Sequence, residues 1–232
     1  MTSPAPNASR GTFISFEGTE GSGKSTQMRL LVERLRLAGY EVVENQEPGC
    51  TSIGKQIRRV LLDPANTEIA PMTELLLMFA SRAQDAAEVI WPALHRGAIV
   101  VSDRFTDSTL AYQGCARNLG FETVWAAHRL AVGSLLPDLT LCIDIDVTLG
   151  LARAHSRNRR KLTQAPGSAN ETRIDQQSLG FHQRVRAGYR QIAALEPNRF
   201  RLIDGSGDIP DVASRVWEQV SSLLAAECQN KL

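Results

Sequence analysis

The run GTEGSGKS, Gly18 to Ser25, directly after the apolar Phe13-Ile14-Ser15-Phe16, constrains this chain more than any other feature. It meets the pattern G-x-x-x-x-G-K-[ST] at Gly18, Gly23, Lys24 and Ser25. With a strand before it and a helix after it, the glycines let successive backbone N–H groups turn inward around phosphate oxygens. The helix adds the positive end of its dipole. Lys24 can then reach the β and γ phosphates, and the Ser25 hydroxyl can ligate Mg²⁺. A dinucleotide-type GxGxxG reading leaves the Lys-Ser pair unexplained. The loop identifies phosphate binding; alone it does not separate a GTPase, an ATPase motor and a small-molecule kinase. No NKxD-type guanine-reading segment is present, and 232 residues are few for a motor with its accessory elements. A kinase for a small acceptor is the leading class.

Hydrophobic spacing extends this strand-loop-helix unit along the chain. Strands are predicted at 13–16, 40–43, 97–103, 139–145 and 200–203. Helices are predicted at 24–38, 51–62, 72–91, 122–135, 147–157, most of 172–195, and 209–226. On the first helix Met28, Leu31, Leu35 and Ala38 recur on one face; on the second Ile53, Ile57, Val60 and Leu61 do so. Alternating strands and helices predict an α/β fold of three layers, a five-stranded parallel sheet flanked by helices. Ligands are then expected beyond the C-terminal ends of the strands. One domain over 11–228 accounts for the pattern, with residues 1–10 as a flexible tail.

A second site is expected in DRFTDSTLAYQG, 103–114, which begins at the end of an apolar strand. Asp103 sits where a second carboxylate can hold Mg²⁺, directly or through water. Arg104 can grip an acceptor phosphate with two hydrogen bonds. Ser108, Thr109, Tyr112 and Gln113 offer uncharged groups suited to a sugar or base. In LLLMFASR, 75–82, Phe79 reads as core or as a stacking ring, and Arg82 must face solvent or an anion. The run RAHSRNRRK, 153–161, carries five Arg or Lys before a Pro/Gly/Ser-rich stretch. A lid closing over polyphosphate suits it, at about 153–173. Nucleic-acid contact and plain solvation are the alternatives.

Composition bounds the partners. Formal net charge is +1, so no global field draws the chain to nucleic acid or an acidic membrane. No run of 18 apolar residues occurs, and the N-terminus lacks the apolar stretch of a signal peptide. The four cysteines show neither metal-ligand spacing nor a disulfide pattern, and Cys142 reads as a buried thiol. A reducing, cytoplasmic setting is expected.

The chain resembles the bacterial thymidylate kinase family, within the P-loop nucleoside monophosphate kinases, from about 12 to 224. The resemblance rests on FEGTEGSGKSTQ (16–27), EPGCTSIGKQIR (47–58), LLLMFASR, DRFTDSTLAYQG and TRIDQQSLGFHQRVRAGY (172–189). It implies transfer of the γ-phosphoryl of ATP to dTMP with Mg²⁺, and a homodimer. It assigns ATP to Gly18, Thr19, Glu20, Gly21, Ser22, Gly23, Lys24, Ser25 and Thr26. It places Mg²⁺ at Ser25 and Asp103. Glu20 matches the residue near the acceptor's 3′-hydroxyl, Arg104 the arginine on its phosphate, and Arg82 the arginine near its base. Ser108 and Thr109 match positions at the base edge, and Tyr112 the residue that disfavours a 2′-hydroxyl. Pro48, Met78, Phe79 and Gln113 complete the dTMP set. The resemblance gives catalysis to Lys24, Arg104 and a lid arginine: Arg153, Arg157, Arg159 or Arg160.

Several positions depart from the family pattern. Gln46 and Cys50 stand where REPGG is usual, and Lys55 where an acid is usual. Met78, with Phe79 beside it, holds the place of the stacking aromatic, and Phe181-His182 replaces two phenylalanines. The lid connection is longer between Arg160 and Thr172. An unmade charged contact at Gln46 costs roughly 1.5 to 3 kcal/mol. An altered nucleotide acceptor and a non-catalytic nucleotide-binding protein are therefore the alternatives.

Overall fold

The computed structural model describes residues 10–164 and 171–229. The expected N-terminal tail, apart from Arg10, and the Pro/Gly/Ser-rich part of the lid at 165–170 lie outside these. Among the described residues five strands form one parallel sheet: β1 (Phe13–Glu17), β2 (Val42–Gln46), β3 (Ile99–Asp103), β4 (Leu139–Asp144) and β5 (Phe200–Asp204). Their order is β2-β3-β1-β4-β5. Chain order reverses at β1, which pairs with β3 on one side and β4 on the other. The crevice beyond its end is where such a sheet binds ligands.

Both sheet faces are covered, which explains why all five residues of β1 are buried. Ile14 and Phe16 point to one face with Val101 and Leu141, under α1 (Lys24–Leu37) and α9 (Ile209–Gln229). Met28, Leu31, Val32 and Leu35 fill that layer from α1, and Val212, Val216 and Val220 from α9. Phe13 and Val100 point to the other face, against Ile90, Leu94 and Phe105. A third apolar group joins Leu75, Leu110, Tyr112, Val185 and Tyr189 beside it.

The other helices are α2 (Ser52–Leu62), α3 (Pro71–Asp85), α4 (Trp91–His95), α5 (Thr106–Thr109), α6 (Phe121–Val132), α7 (Val147–Gln164) and α8 (Leu179–Leu195). A π-helical turn at Ala86–Ile90 joins α3 to α4, and another at Leu110–Ala116 prolongs α5. Several expectations need correction. Ala38 is exposed past the end of α1, and Val32 takes its place in the core. On α2, Leu61 is buried while Ile53 and Val60 are each 46% exposed. The second strand is displaced toward Gln46, which pairs in register with Asp103. The DRFTDSTLAYQG stretch turns helical at Thr106. Residues 172–177 form turns, and α8 starts only after Ser178, whose hydroxyl caps Phe181 N. The helix expected over 147–157 runs on to Gln164, so the basic run is helical. Cys142 is buried in β4, and Cys50, Cys115 and Cys142 are free thiols. Among the described residues no helix is long and apolar enough to cross a membrane.

Candidate functional site

The loop between β1 and α1 has the backbone that its glycines permit. Gly18, Gly21 and Gly23 have φ of 135, 68 and 99°. A Cβ on Gly21 would lie 2.0 Å from the carbonyl oxygen of Gly150, so only glycine fits under α7 there. Lys24 folds over the loop, its Nζ donating to the carbonyls of Gly18 and Thr19 at 2.9 Å each. Burial and then the Arg104 charge lower its pKa, with Glu20 opposing. The buried Ser22 Oγ has no hydrogen-bond partner. An anion accepting from this loop satisfies both groups.

The cleft above the loop has a volume of about 700 Å³. Residues 20–27, Asp103 and Arg153 line it. Thr19 is instead buried beneath. Sequence reasoning missed the far wall, formed by Gly205, Gly207, Asp208, Ile209 and Val212 between β5 and α9. Ser25 Oγ donates to Asp103 Oδ2 at 3.1 Å. Among the described residues no group of three or more His, Cys, Asp or Glu could hold a metal. This pair of hard oxygens fits Mg²⁺, which keeps waters and substrate phosphates as its remaining ligands.

A second cavity of about 230 Å³ adjoins the first. It is lined by the expected Pro48, Met78, Arg82, Ser108, Thr109, Tyr112 and Gln113, and unexpectedly by Leu62 and Ile174. Phe79 is 3% exposed and outside this lining. Its ring packs in the core, 4.8 Å below the Arg82 guanidinium. Arg82 is itself buried, donating from Nε to Glu47 Oε2 at 2.7 Å and from Nη1 to Thr109 Oγ1 at 3.0 Å. The partner of Arg82 is thus the Glu47 carboxyl, whose Oε1 is buried without a hydrogen-bond partner among the described residues. Gln113 donates to Glu74, which also receives Arg117 and Arg173 and so ties the segment after α7 to α3.

Burial pushes the Glu47 carboxyl up to about 7, the Arg82 charge opposing and Asp85 adding to it. Unfolded, the group ionises near its ordinary 4.5. Between these values the folded protein holds a proton that the unfolded chain has lost. Stability therefore falls as pH rises from 4.5 to about 7, and this term is then constant. Denaturant titrations across that window should give a flatter pH slope for Glu47→Gln than for the unsubstituted protein. Equal slopes contradict the assignment.

Five residues line both cavities: Glu20, Glu47, Arg58, Arg104 and Arg157. Arg104 has φ 74°, unusual for a residue with a side chain. Its Nη2 donates to Glu20 Oε1 at 2.7 Å and to Tyr112 OH at 3.2 Å. Burial works against ionisation of Glu20, yet the Arg104 and Lys24 charges hold its carboxyl down at about 2. Gln46 lines the larger cleft with Asp103, and Arg58 of α2 lines the same cleft. Arg58 donates to the Pro48 carbonyl at 2.8 Å and to both oxygens of Glu171 at 2.9 and 2.8 Å. Of the basic run, Arg153 and Arg157 stand one turn apart and face the clefts, while Arg159 and Arg160 are exposed outside their linings. Arg157 Nη2 lies 4.0 Å from Asp175 Oδ2.

Two clefts joined through arginines can hold a phosphorylated donor and an anionic acceptor in line. The chain also resembles known proteins over most of its length. A family model described as thymidylate kinase matches residues 16–216. The chain is 50% identical over 210 residues to the thymidylate kinase of Pelobacter propionicus, covering 90% of this chain and 94% of the relative. It is 48% identical over 206 residues to that of Geobacter sulfurreducens, covering 89% and 94%. For that of Solidesulfovibrio magneticus the identity is 46% over 213 residues, covering 91% and 100%.

Proposed function

This chain belongs to the thymidylate kinase family and transfers the γ-phosphoryl of ATP to dTMP, giving dTDP and ADP, and we propose that its two clefts divide that work. A single domain over about 11–228 supplies both. ATP occupies the larger cleft, its phosphates on the Gly18–Ser25 loop and its base toward the wall between β5 and α9. dTMP occupies the smaller one, its base near Arg82 and Thr109, its sugar against Tyr112 and its phosphate at Arg104. The observation that supports this reading is the set of arginines at the one place where the clefts meet.

Phosphoryl transfer needs alignment and charge compensation more than covalent chemistry. A monophosphate oxygen is already anionic, so no strong general base is required. Lys24 draws the β and γ phosphates onto the loop, and Arg104 turns the acceptor phosphate toward them. Ser25 and Asp103 would hold Mg²⁺, which would supply neutralisation of the donor phosphates. Arg157, poised across the junction, meets the charge on the moving phosphoryl group, with Arg153 on the donor side. Closure of α7 excludes water and prevents hydrolysis.

Single-turnover and steady-state kinetics test the assignment of the basic run. Arg157→Ala should lower kcat by about 10²-fold, the loss typical of one transition-state donor. Arg160→Ala, outside both linings, should stay within about twofold. The reverse order overturns the choice of arginine.

A second copy of this chain is the proposed partner for the apolar surface left by Ile53 and Val60 on α2 and Met72 and Leu76 on α3. Sedimentation at twice the chain mass is the expected result; a monomer at all concentrations contradicts it. Nucleotide phosphates account for Arg153 and Arg157, so no nucleic-acid partner is proposed. An ATP-fuelled reaction and free thiols at Cys50, Cys115 and Cys142 support a cytoplasmic setting.

A further inference from the structure

Arg104 combines a demanding task with an unfavourable backbone. Its φ of 74° persists only if its surroundings fix it. Its backbone N–H donates to Phe16 O at 3.0 Å, and its carbonyl accepts from Ser102 Oγ at 2.6 Å. On the guanidinium, Nη2 is held by Glu20 and Tyr112, which both line the acceptor cavity. Nη1 is held differently. It donates to Ser108 Oγ at 3.0 Å and to Tyr189 OH at 3.2 Å. Tyr189 comes from α8, is 2% exposed and lines neither cleft.

Behind these two hydroxyls lies Glu17, the last residue of β1. It is fully buried and also lines neither cleft. Its Oε1 accepts from Ser15 Oγ at 2.9 Å and from Phe105 N at 2.8 Å. Its Oε2 accepts from Tyr189 OH at 3.0 Å and from Ser108 Oγ. A hydroxyl has one proton, and a carboxylate only accepts. Ser108 Oγ and Tyr189 OH also lie 2.9 Å apart, so the two hydroxyls form one closed network with Glu17 and Nη1, in which a proton given toward Glu17 leaves lone pairs for Nη1. Burial and then Asp107 push the Glu17 carboxyl above its usual range, with the Arg104 charge and the hydrogen bonds from Ser108 and Phe105 opposing.

We propose that Glu17 and Tyr189 are positioning residues for the known reaction: through their hydrogen bonds they aim the Arg104 guanidinium at the acceptor phosphate. The polarity of the network matters as much as its shape. Arg104 meets only acceptors on this side, so its guanidinium has one orientation before dTMP arrives. This inference rests on Arg104 being the acceptor clamp.

The test compares Tyr189→Phe, Glu17→Gln and Arg104→Ala, with KM for dTMP and for ATP and kcat measured separately, alongside thermal midpoints. Tyr189→Phe removes one oxygen from a packed ring. It should raise KM for dTMP by about 5- to 10-fold, the scale of one hydrogen bond, and leave KM for ATP within about twofold. Glu17→Gln reverses the polarity facing the hydroxyls and should act in the same direction, more strongly. Tyr189→Phe added to Arg104→Ala should cost nothing further in kcat/KM for dTMP. Folded Tyr189→Phe with an unchanged KM for dTMP, or with both KM values raised equally, overturns the inference; it decides alone if Glu17→Gln does not fold. Arg104→Ala without effect on dTMP shows that the clamp reading itself is wrong, and the inference falls with it. A loss at Arg104 with none at Tyr189 removes only the inference.

Discussion

Replacing Lys24 with methionine lowers kcat by about 10³-fold while the protein stays folded. The expectation of an intact fold comes from the lysine's present partners. Among the described residues its Nζ hydrogen-bonds to the carbonyls of Gly18 and Thr19, within the same loop, so its loss breaks no hydrogen bond between elements. Methionine keeps the aliphatic stem that packs there. What disappears is a buried cation at the floor of the ATP cleft, where low polarity magnifies its pull on phosphate. The same burial lowers its pKa, so the ammonium has a stake in finding an anion. Stopped-flow or quench-flow measurement of dTDP formation reads the effect. A variant within tenfold of the unsubstituted rate would mean that phosphate binds elsewhere.

Arg104→Ala should lower kcat/KM for dTMP by about 10³-fold, or about 4 kcal/mol, the sum of two charge-assisted hydrogen bonds to phosphate. It should also leave Glu20 without the guanidinium that holds its carboxyl near 2. Glu20 then repels the incoming phosphate across a short distance. Arg104→Lys restores charge but not the fork that spans Glu20 on one side and Ser108 and Tyr189 on the other, so it should recover only part of the loss. KM for ATP is the control and should stay within about threefold, because Lys24 and the loop remain. Equal losses toward both substrates would place Arg104 outside the acceptor site.

These two residues were legible in the sequence because each is fixed by a local pattern. Lys24 follows a strand and a glycine loop; Arg104 follows the end of an apolar strand. The sheet was legible for the same reason, since apolar runs buried on both faces carry strong signals over a few residues. Side chains placed by contacts distant in sequence were not. Arg82 and Glu47 are 35 residues apart, and nothing local shows that they pair. Met78 and Phe79 are neighbours about 100° apart around a helix. Only the packing of α3 decides that methionine lines the cavity and phenylalanine supports Arg82. Arg58 lines both clefts because α2 is carried over the Pro48 turn, which its spacing did not announce. The polar run at 103–114 concealed a helix, since TDST weakens helical propensity and the turn is made by tertiary packing against α8. On α2 the periodicity set Ile53, Ile57, Val60 and Leu61 along one side, but that side is divided: Leu61 is buried, while Ile53 and Val60 face outward.

Gln46 stands where the family pattern has an arginine, in a cleft also lined by Arg58, Arg104, Arg153 and Arg157. Acceptor choice is therefore the decisive property of this chain. The measurement that tests it most directly is ATP- and Mg²⁺-dependent phosphorylation of dTMP, dUMP, dCMP, dGMP, UMP and thymidine by the intact protein, with ADP and the phosphorylated product both quantified. Preferential conversion of dTMP to dTDP, with one ADP formed per dTDP, is the predicted result. Folded, ATP-binding protein that transfers no phosphate to dTMP, or transfers it preferentially to another acceptor on the panel, would contradict it.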